Sequence, residues 1–259
     1  MQDAPGATGS MLTEFHPFGA LHALAAGVAA GVMVLLVVAG RWAQRRGRED
    51  RVRAGWIGAS VVVQGASAVY YVVPPNLVPA ESLPLHICDL AGWIAVAALA
   101  TRWRIMRTLL YFWGIGLSTQ AFFTPVLGDE FGVASLRFWL FFGTHLQIVG
   151  SAVYDIAVLG YRPRMKDFLA GSMVTMGYVA VLIPLNMATG WNYAYVGQSK
   201  PENPTPIDLL GPWPLRLVWM ALIVHGLFGV MTLAWRVRRR RRVMSPAAPM
   251  PRSGPGGNG

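Results

Sequence analysis

The stretch Leu83-Pro-Leu-His-Ile-Cys-Asp-Leu90 decides how the rest of this sequence is interpreted. It sets the single cysteine of the chain, Cys88, beside His86 and Asp89 at the start of an apolar segment. Ionisable side chains within a membrane span are rare and usually have a function. The fold therefore depends on whether this segment crosses a membrane, and the function depends on which groups face the thiol.

The composition is that of a membrane protein. Of 259 residues, 54% are hydrophobic and 13% are charged, against roughly 25% charged in an average soluble domain. Seven apolar segments come close to the length of about twenty residues that a transmembrane helix requires. They cover residues 17–40, 54–73, 84–101, 105–127, 137–160, 166–187 and 212–235. We predict an all-α, multi-pass protein of the cell membrane with seven transmembrane helices.

The predicted membrane domain takes up most of the chain. Residues 1–16 form a short N-terminal segment that lacks the basic residues of a secretory signal peptide. The first span is therefore expected to be retained. Residues 17–243 form the seven-helix domain, and the Pro- and Gly-rich residues 244–259 are expected to be disordered.

The distribution of basic residues predicts the orientation. Arginine clusters follow the first, third, fifth and seventh segments, whereas the intervening loops hold few cations. Cytoplasmic loops of membrane proteins are enriched in Lys and Arg. We expect the N-terminus outside and the C-terminus in the cytoplasm. The net charge of +10 is then a topology signal, and no nucleic-acid partner is predicted.

Two features are interpreted as structural. Ala23, Gly27 and Gly31 lie four residues apart, and such small residues often form a close helix-packing face in membranes. Asp155, near the cytoplasmic end of the fifth span, is interpreted as a surface ion pair with the arginines that follow it.

Residues 188–211 form the longest predicted outer loop, and they include several tryptophans and tyrosines. Long loops without regular structure are usually functional or disordered, and the aromatic residues favour an ordered segment at the membrane interface. We interpret the loop as a lid over a site. The alternative is an interfacial anchor with no part in catalysis.

Topology narrows the search for groups that face Cys88. The third and fifth spans both enter from outside, so that Cys88 lies roughly 7 Å and His145 roughly 12 Å along its helix. We therefore expect the thiol and the imidazole in one outer layer. Other polar residues predicted for this layer are His86, Asp89, Gln120, Gln147 and Asn186. Asp89 either holds His86, which shares its helix face, or orients an imidazole from another helix.

A Cys/His pair is suited to acyl transfer without a cofactor. A free thiol has a pKa of about 8.5 and is mostly protonated at neutral pH. A histidine within hydrogen-bond reach takes the proton, pairs with the thiolate and later returns the proton to a leaving group. A site open to the outer leaflet predicts a lipid ester as substrate. The thioester on Cys88 would be resolved by a lysolipid or another alcohol, or by water.

Several segments, in the same order along the chain, carry a family resemblance. They are Leu83 to Leu90, Tyr111-Phe-Trp-Gly114 with Gln120 and Thr124-Pro125, His145 of Phe142-Gly-Thr-His145, Gly160-Tyr-Arg-Pro163, Asn192-Tyr193, Lys200-Pro-Glu-Asn-Pro204, and Leu210-Gly-Pro-Trp-Pro214. With them the chain resembles the YwaF-like bacterial integral membrane proteins, which are similar to the eukaryotic transmembrane protein 164, an acyltransferase of ether phospholipids.

The resemblance implies that Cys88 and His145 are the catalytic pair. It also implies that the acyl group is held as a thioester between a phospholipid donor and a lysolipid acceptor. The polar residues of the outer layer, together with Asn192 and Tyr193, are then expected to support the site.

Two alternatives remain at this stage. His86, Asp89 and His145 would provide three ligands for zinc, as in a membrane lipid hydrolase that keeps one open position for water. The chain is otherwise a non-catalytic transporter, receptor or scaffold in which Cys88 is a packed hydrophobic residue. A retinal protein is disfavoured, because residues 212–235 contain no lysine for a Schiff base.

Overall fold

The computed structural model describes residues 15–128, 131–199 and 205–244, with side chains described up to residue 237. In these ranges the chain forms helices and connecting segments and no β-strand. Most of the predicted N-terminal segment and nearly all of the predicted tail lie outside the described residues. Met244, the first residue of the predicted tail, is the last residue of a helix.

Eight α-helices are described. They are α1 Ala20–Arg45, α2 Glu49–Val72, α3 Pro79–Ser82, α4 Ile87–Thr101, α5 Arg104–Leu109, α6 Leu136–Ala157, α7 Met165–Thr189 and α8 Leu215–Met244. A π-helical segment, Leu110–Leu117, and a 3-10 turn, Ser118–Phe122, continue α5 without a break. Short 3-10 turns at Tyr193–Tyr195 and Pro206–Leu210 lie between α7 and α8.

Each of the seven predicted spans overlaps a helical segment. Four of the described segments are long and apolar enough to cross a membrane: Ala20–Arg45, Pro79–Thr101, Met165–Thr189 and Leu215–Val237. Large apolar side chains on the outside of the bundle, such as Leu35, Val62, Met173 and Val230, are exposed, as lipid-facing residues of a membrane protein would be. The chain is therefore an all-helical membrane protein. The count of seven spans and the orientation stay predictions.

The helix α6 lies at the centre of the bundle and packs against α1, α2, α4 and the π-helical segment. Its inward-facing residues include Ile148 and Tyr154, which are fully buried. Gly114 of the π-helical segment approaches α6 so closely that an added Cβ would lie 3.2 Å from the Ala152 side chain. The absence of a side chain at Gly114 thus allows the two segments to meet at van der Waals distance.

The predicted small-residue packing face on α1 is wrong. Ala23, Gly27 and Gly31 are exposed, and nothing lies within 4 Å of a Cβ added at either glycine. The close approach is made by Gly40, where a Cβ would lie 2.5 Å from a ring carbon of Tyr154 on α6. Spacing indicates which residues share a helix face, but it does not indicate which face turns towards the bundle.

The prediction that Asp155 forms a surface ion pair with the arginines after it is also wrong. Asp155 is 2% exposed, and its partner is Arg107 of α5, at 2.8 Å. Arg104 binds Asp167 of α7 in the same region. These pairs join α5 to α6 and α7, because the start of the fourth predicted span lies between those two helices.

Candidate functional site

The site begins at the N-terminus of α4, three residues after Pro84. The backbone N–H of His86 donates to the Asp89 carboxylate at 3.1 Å, so Asp89 caps the first turn of the helix. A side-chain acceptor at this position satisfies a backbone donor that the helix itself leaves unpaired. Asp89 therefore holds the backbone of His86 rather than its imidazole.

Two tyrosines fix the extended residues before α4. The Tyr193 hydroxyl accepts from the backbone N–H of Leu83 at 3.1 Å and donates to the carbonyl of Pro79 at 2.6 Å. The Tyr178 hydroxyl of α7 donates to the carbonyl of Leu85. Tyr193 belongs to the predicted outer loop, residues 188–211. Its hydroxyl therefore binds this loop to the start of α4, the cysteine helix, which carries Cys88.

Cys88 is the second residue of α4, and its side chain is partly buried against the main hydrophobic core. The hydroxyl of Ser118, which is 1% exposed, donates to the Cys88 sulfur at 3.6 Å. A helix N-terminus carries a partial positive charge, and a hydroxyl donor also favours a negative sulfur. Both features favour a thiolate, but burial disfavours it more strongly, so the thiol depends on a base for its ionisation.

His145 lies on α6 with its ring oriented by its own helix. Its Nδ1 lies 2.7 Å from the carbonyl oxygen of Phe141, and the Phe141 ring packs on the imidazole at 4.6 Å between centroids. A carbonyl oxygen only accepts, so Nδ1 carries the proton of the neutral ring and Nε2 carries the lone pair. The ring is therefore held in the tautomer in which Nε2 acts as a base.

Ser118 and His145 lie at the same level of the bundle. The continuous segment formed by α5, the π-helical residues and the 3-10 turn runs antiparallel to α6: the Phe122 ring lies 6.2 Å from the Phe142 ring, and Gly114 packs between Ile148 and Ala152. Ser118, four residues before Phe122, is thus opposite residue 146. His145 is one residue away, an axial offset of about 1.5 Å.

The thiol and the imidazole do not form a direct hydrogen bond within the described part of the chain. The described partner of Cys88 is Ser118, and that of His145 is the Phe141 carbonyl. Ser118 therefore contacts the helix that carries Cys88 and lies within about one residue of position 145 along the bundle. The sequence reasoning missed Ser118, although a polar residue inside an apolar span was a usable signal.

The loop before α8 folds over the same helix terminus. Asn186 is 2% exposed and makes two hydrogen bonds to the backbone of Tyr193, at 2.9 and 3.0 Å. Asn192 accepts from the backbone N–H of Gly197 at 2.9 Å. The rings of Tyr193 and Tyr195 lie 4.9 and 5.9 Å from the His86 ring. Asn186, Asn192 and Tyr193 thus build the cover, and His86 lies beneath it.

An ion pair anchors the far end of this loop. Arg216, at the start of α8, is fully buried and binds the Asp208 carboxylate, the Ser199 hydroxyl and the Gly197 carbonyl. The Ser199 hydroxyl, the backbone N–H of Thr205 and Arg216 hold the pKa of Asp208 below its usual range. The loop is therefore attached at both ends, which suits a cover more than a loose connection.

The remaining predicted site residues differ in placement. Gln147 is 2% exposed, and its Nε2 donates to the Gly92 carbonyl of α4 at 3.4 Å. Gln120 is exposed, and its backbone carbonyl accepts from the N–H groups of Phe123 and Thr124. Gln120 does not join the buried layer, because the 3-10 turn directs it outward.

The zinc alternative lacks a ligand set in the described residues. No three His, Cys, Asp or Glu side chains there come together in an arrangement that would hold a metal ion. The Asp89 carboxylate caps the α4 backbone, and His145 comes from a different helix with its Nδ1 already bonded.

Comparison with known proteins identifies the family. The model of the TMEM164 family matches residues 17–232, a range that contains Cys88, Ser118 and His145. No curated protein and no solved structure matches the chain. The narrower assignment to the YwaF-like bacterial proteins stays a prediction. Since the match covers most of the sequence, the chain belongs to the TMEM164 family.

Proposed function

We propose that this protein is a membrane lipid acyltransferase of phospholipid remodelling, with Cys88 as the nucleophile and His145 as the base. The observation that carries the proposal is the arrangement around the thiol. Cys88 lies at a helix N-terminus with a hydroxyl donor on its sulfur. The His145 ring is bound through Nδ1 to the Phe141 carbonyl and keeps Nε2 as a basic nitrogen, and the antiparallel packing puts residue 145 within about one residue of Ser118 along the bundle. Membership of the TMEM164 family is compatible with a membrane lipid-modifying enzyme.

The proposed reaction has two steps. In the first, the Cys88 sulfur attacks the carbonyl carbon of a phospholipid ester, and the carbon–sulfur bond forms while the ester carbon–oxygen bond breaks. His145 takes the thiol proton and gives it to the departing lysolipid alkoxide. In the second, a lysolipid hydroxyl attacks the thioester carbonyl carbon, and the new carbon–oxygen bond forms while the carbon–sulfur bond breaks. His145 takes the hydroxyl proton and gives it to the departing Cys88 thiolate. With water as the acceptor, the same steps yield a free fatty acid.

The proposal includes a location in the membrane. Seven spans, with the N-terminus outside and the arginine-rich ends in the cytoplasm, put the start of α4 in the outer leaflet of the cell membrane. A lipid would reach Cys88 laterally, beneath the cover formed by the segment between α7 and α8. The exposed apolar side chains of the bundle suit such an approach from the lipid phase.

The direct test detects the thioester. The purified full chain is placed in vesicles that contain a phospholipid with an alkyne-tagged acyl chain. We expect a tag on Cys88 that hydroxylamine removes, located by mass spectrometry of the only cysteine. The tag should be lost in Cys88→Ala and reduced at least a hundredfold in His145→Ala, since a positioned base contributes about 10²- to 10⁴-fold.

His225→Ala is the matched control. The Nδ1 of His225 lies 2.7 Å from the carbonyl oxygen of Ala221, four residues earlier, as the Nδ1 of His145 does from that of Phe141. It lies on α8, whereas His145 lies on α6. Normal tagging in this variant and loss in His145→Ala would assign the base. A wild-type protein that acquires no tag, or equal tagging in wild type and His145→Ala, would overturn the proposal.

The second step distinguishes transferase from hydrolase. Tagged protein is isolated and mixed with a lysophospholipid or with buffer alone. Transfer of the tag to the lysolipid supports the acyltransferase, whereas release of free fatty acid in buffer at the same rate supports the hydrolase. In cells, Cys88→Ala should change the same lipids as a complete deletion if the thiol is functional.

A further inference from the structure

Two buried glutamine side chains lie about one turn along α4 from Cys88, and each has a polar atom without a hydrogen-bond partner in the described residues. Gln64 of α2 is 5% exposed and Gln147 of α6 is 2% exposed. In the described residues, the Gln64 Nε2 and the Gln147 Oε1 are buried without a hydrogen-bond partner. An unsatisfied buried donor costs about 1 to 3 kcal/mol, and such groups usually have a partner or a function. The Gln64 donor is available to a ligand.

Gly92 makes room for the Gln64 amide on the cysteine helix. The Nε2 lies 1.0 Å from the position that a Cβ of Gly92 would occupy, and the amide carbon lies 2.3 Å from it. Any other residue at position 92 would displace the amide. The Gln147 Nε2 donates to the backbone carbonyl oxygen of the same glycine, so both amides contact α4 at Gly92.

The helix geometry brings this donor within reach of chemistry at Cys88. Gly92 follows Cys88 by four residues, and Cβ positions at this spacing are about 5 to 6 Å apart on one helix face. The Gln64 Nε2, 1.0 Å from the Gly92 Cβ position, therefore lies roughly 4 to 7 Å from the Cys88 Cβ. The sulfur, the acyl carbon and the carbonyl oxygen of a thioester extend across most of that distance.

We infer that Gln64 is a catalytic residue that donates a hydrogen bond to the carbonyl oxygen of the acyl group on Cys88. The inference rests on the proposed acyl transfer. When the thiolate attacks an ester, the carbonyl oxygen becomes negative, and a fixed donor in a site without water stabilises that charge strongly. The Gln64 side chain is buried against Gly92, and its Nε2 has no competing partner among the described residues. The ligand is thus the acyl ester oxygen of a lipid.

The experiment compares two reactions of the same thiol. Acylation by the tagged phospholipid in vesicles passes through a tetrahedral oxyanion, whereas alkylation by iodoacetamide does not. Gln64→Met keeps the length of the side chain and removes the donor. We expect acylation to slow by about 10²- to 10³-fold, as when one oxyanion donor is removed, while alkylation stays at the wild-type rate.

Gly92→Ala tests the position of the amide rather than its presence. The new Cβ would displace the flexible end of the Gln64 side chain, so we expect the same selective loss of acylation. Ser60→Ala is the control. Ser60 lies one turn earlier on α2, is 2% exposed, and bonds the carbonyl of Trp56 in its own helix. This variant should acylate normally.

Infrared spectroscopy of the thioester gives a second readout. With a ¹³C-labelled carbonyl, the stretching frequency should rise in Gln64→Met because the hydrogen bond is lost. Equal acylation rates and an unchanged frequency would overturn the inference, as would an equal loss of acylation and alkylation, which indicates a structural role. If the wild-type protein forms no thioester, the proposed function fails first, and the result is distinguishable from these.

Discussion

Replacing Tyr193 by Phe would release the start of the cysteine helix from its cover. Tyr193 is fully buried, and its hydroxyl bridges the N–H of Leu83 and the carbonyl of Pro79. Phenylalanine keeps the ring and its contact with the His86 imidazole. The substitution therefore removes two hydrogen bonds and little apolar packing.

The magnitude follows from those two bonds. Each hydrogen bond contributes about 0.5 to 1.5 kcal/mol net, so we expect the free energy of opening of this cover to fall by about 1 to 3 kcal/mol. Every 1.4 kcal/mol is a tenfold change in an equilibrium. The open population should rise roughly 5- to 100-fold.

Cys88 itself reports the opening, because it is the only cysteine of the chain. Under conditions in which opening and closing are faster than the chemical reaction, the labelling rate follows the open population. A bulky maleimide applied to the protein in nanodiscs should therefore modify Cys88 roughly 5- to 100-fold faster in Tyr193→Phe. Intact-mass spectrometry over time gives the rates.

Tyr195→Phe is the matched control. The Tyr195 ring also lies against His86, and its hydroxyl makes no hydrogen bond to the residues that the structure describes. We expect a labelling rate within twofold of wild type. Equal rates for Tyr193→Phe and Tyr195→Phe would refute the assignment of the loop as a cover of the thiol.

Three further predictions concern the scaffold. Asp155→Asn should lower the free energy of unfolding by about 3 to 5 kcal/mol, because Arg107 loses the buried carboxylate that pairs with it; chemical unfolding in detergent measures this, and Asp155→Asn combined with Arg107→Met should recover part of the loss. The lowered pKa of Asp208 means that its stabilisation is present above its unfolded pKa, about 3.9, and is lost as the pH falls through the folded value. The thermal unfolding temperature should therefore fall below about pH 4, and an Asp208→Asn protein whose unfolding temperature fell equally would contradict the assignment. Gly40→Ala should destabilise by about 1 to 3 kcal/mol through overpacking, whereas Gly31→Ala, which meets no neighbour, should be neutral or stabilising by up to about 1 kcal/mol, as thermal unfolding would show.

The helices and the family could be predicted from the sequence because both depend on local information. Apolar runs separated by arginine clusters locate the helical segments within a few residues. The motifs around Cys88 and His145 carried the resemblance to transmembrane protein 164, whose family the comparison confirmed, while the YwaF-like assignment stays a prediction. The predicted loop residue Tyr193 was also informative, since an aromatic residue in a long loop often packs on a site.

The contacts between helices could not be predicted, because they depend on how each helix is rotated. Asp155 pairs with Arg107 rather than with an arginine close in sequence. Ser118 contacts Cys88 directly after a π-helical segment that the apolar pattern does not reveal. Gln64 has no motif around it, and its relation to the thiol becomes visible only through Gly92, where two helices touch.

The π-helical segment Leu110–Leu117 has a consequence for the evolution of the family. A π turn closes its hydrogen bonds over five residues, one more than an α turn, and is often found at functional sites. Loss of a single residue in this segment would favour an α turn and would rotate Ser118 away from Cys88, although the helix would stay apolar and continuous. Single-residue insertions and deletions should therefore be tolerated in the connecting loops and strongly disfavoured between Leu109 and Ser118, in a segment that hydrophobicity alone would treat as permissive.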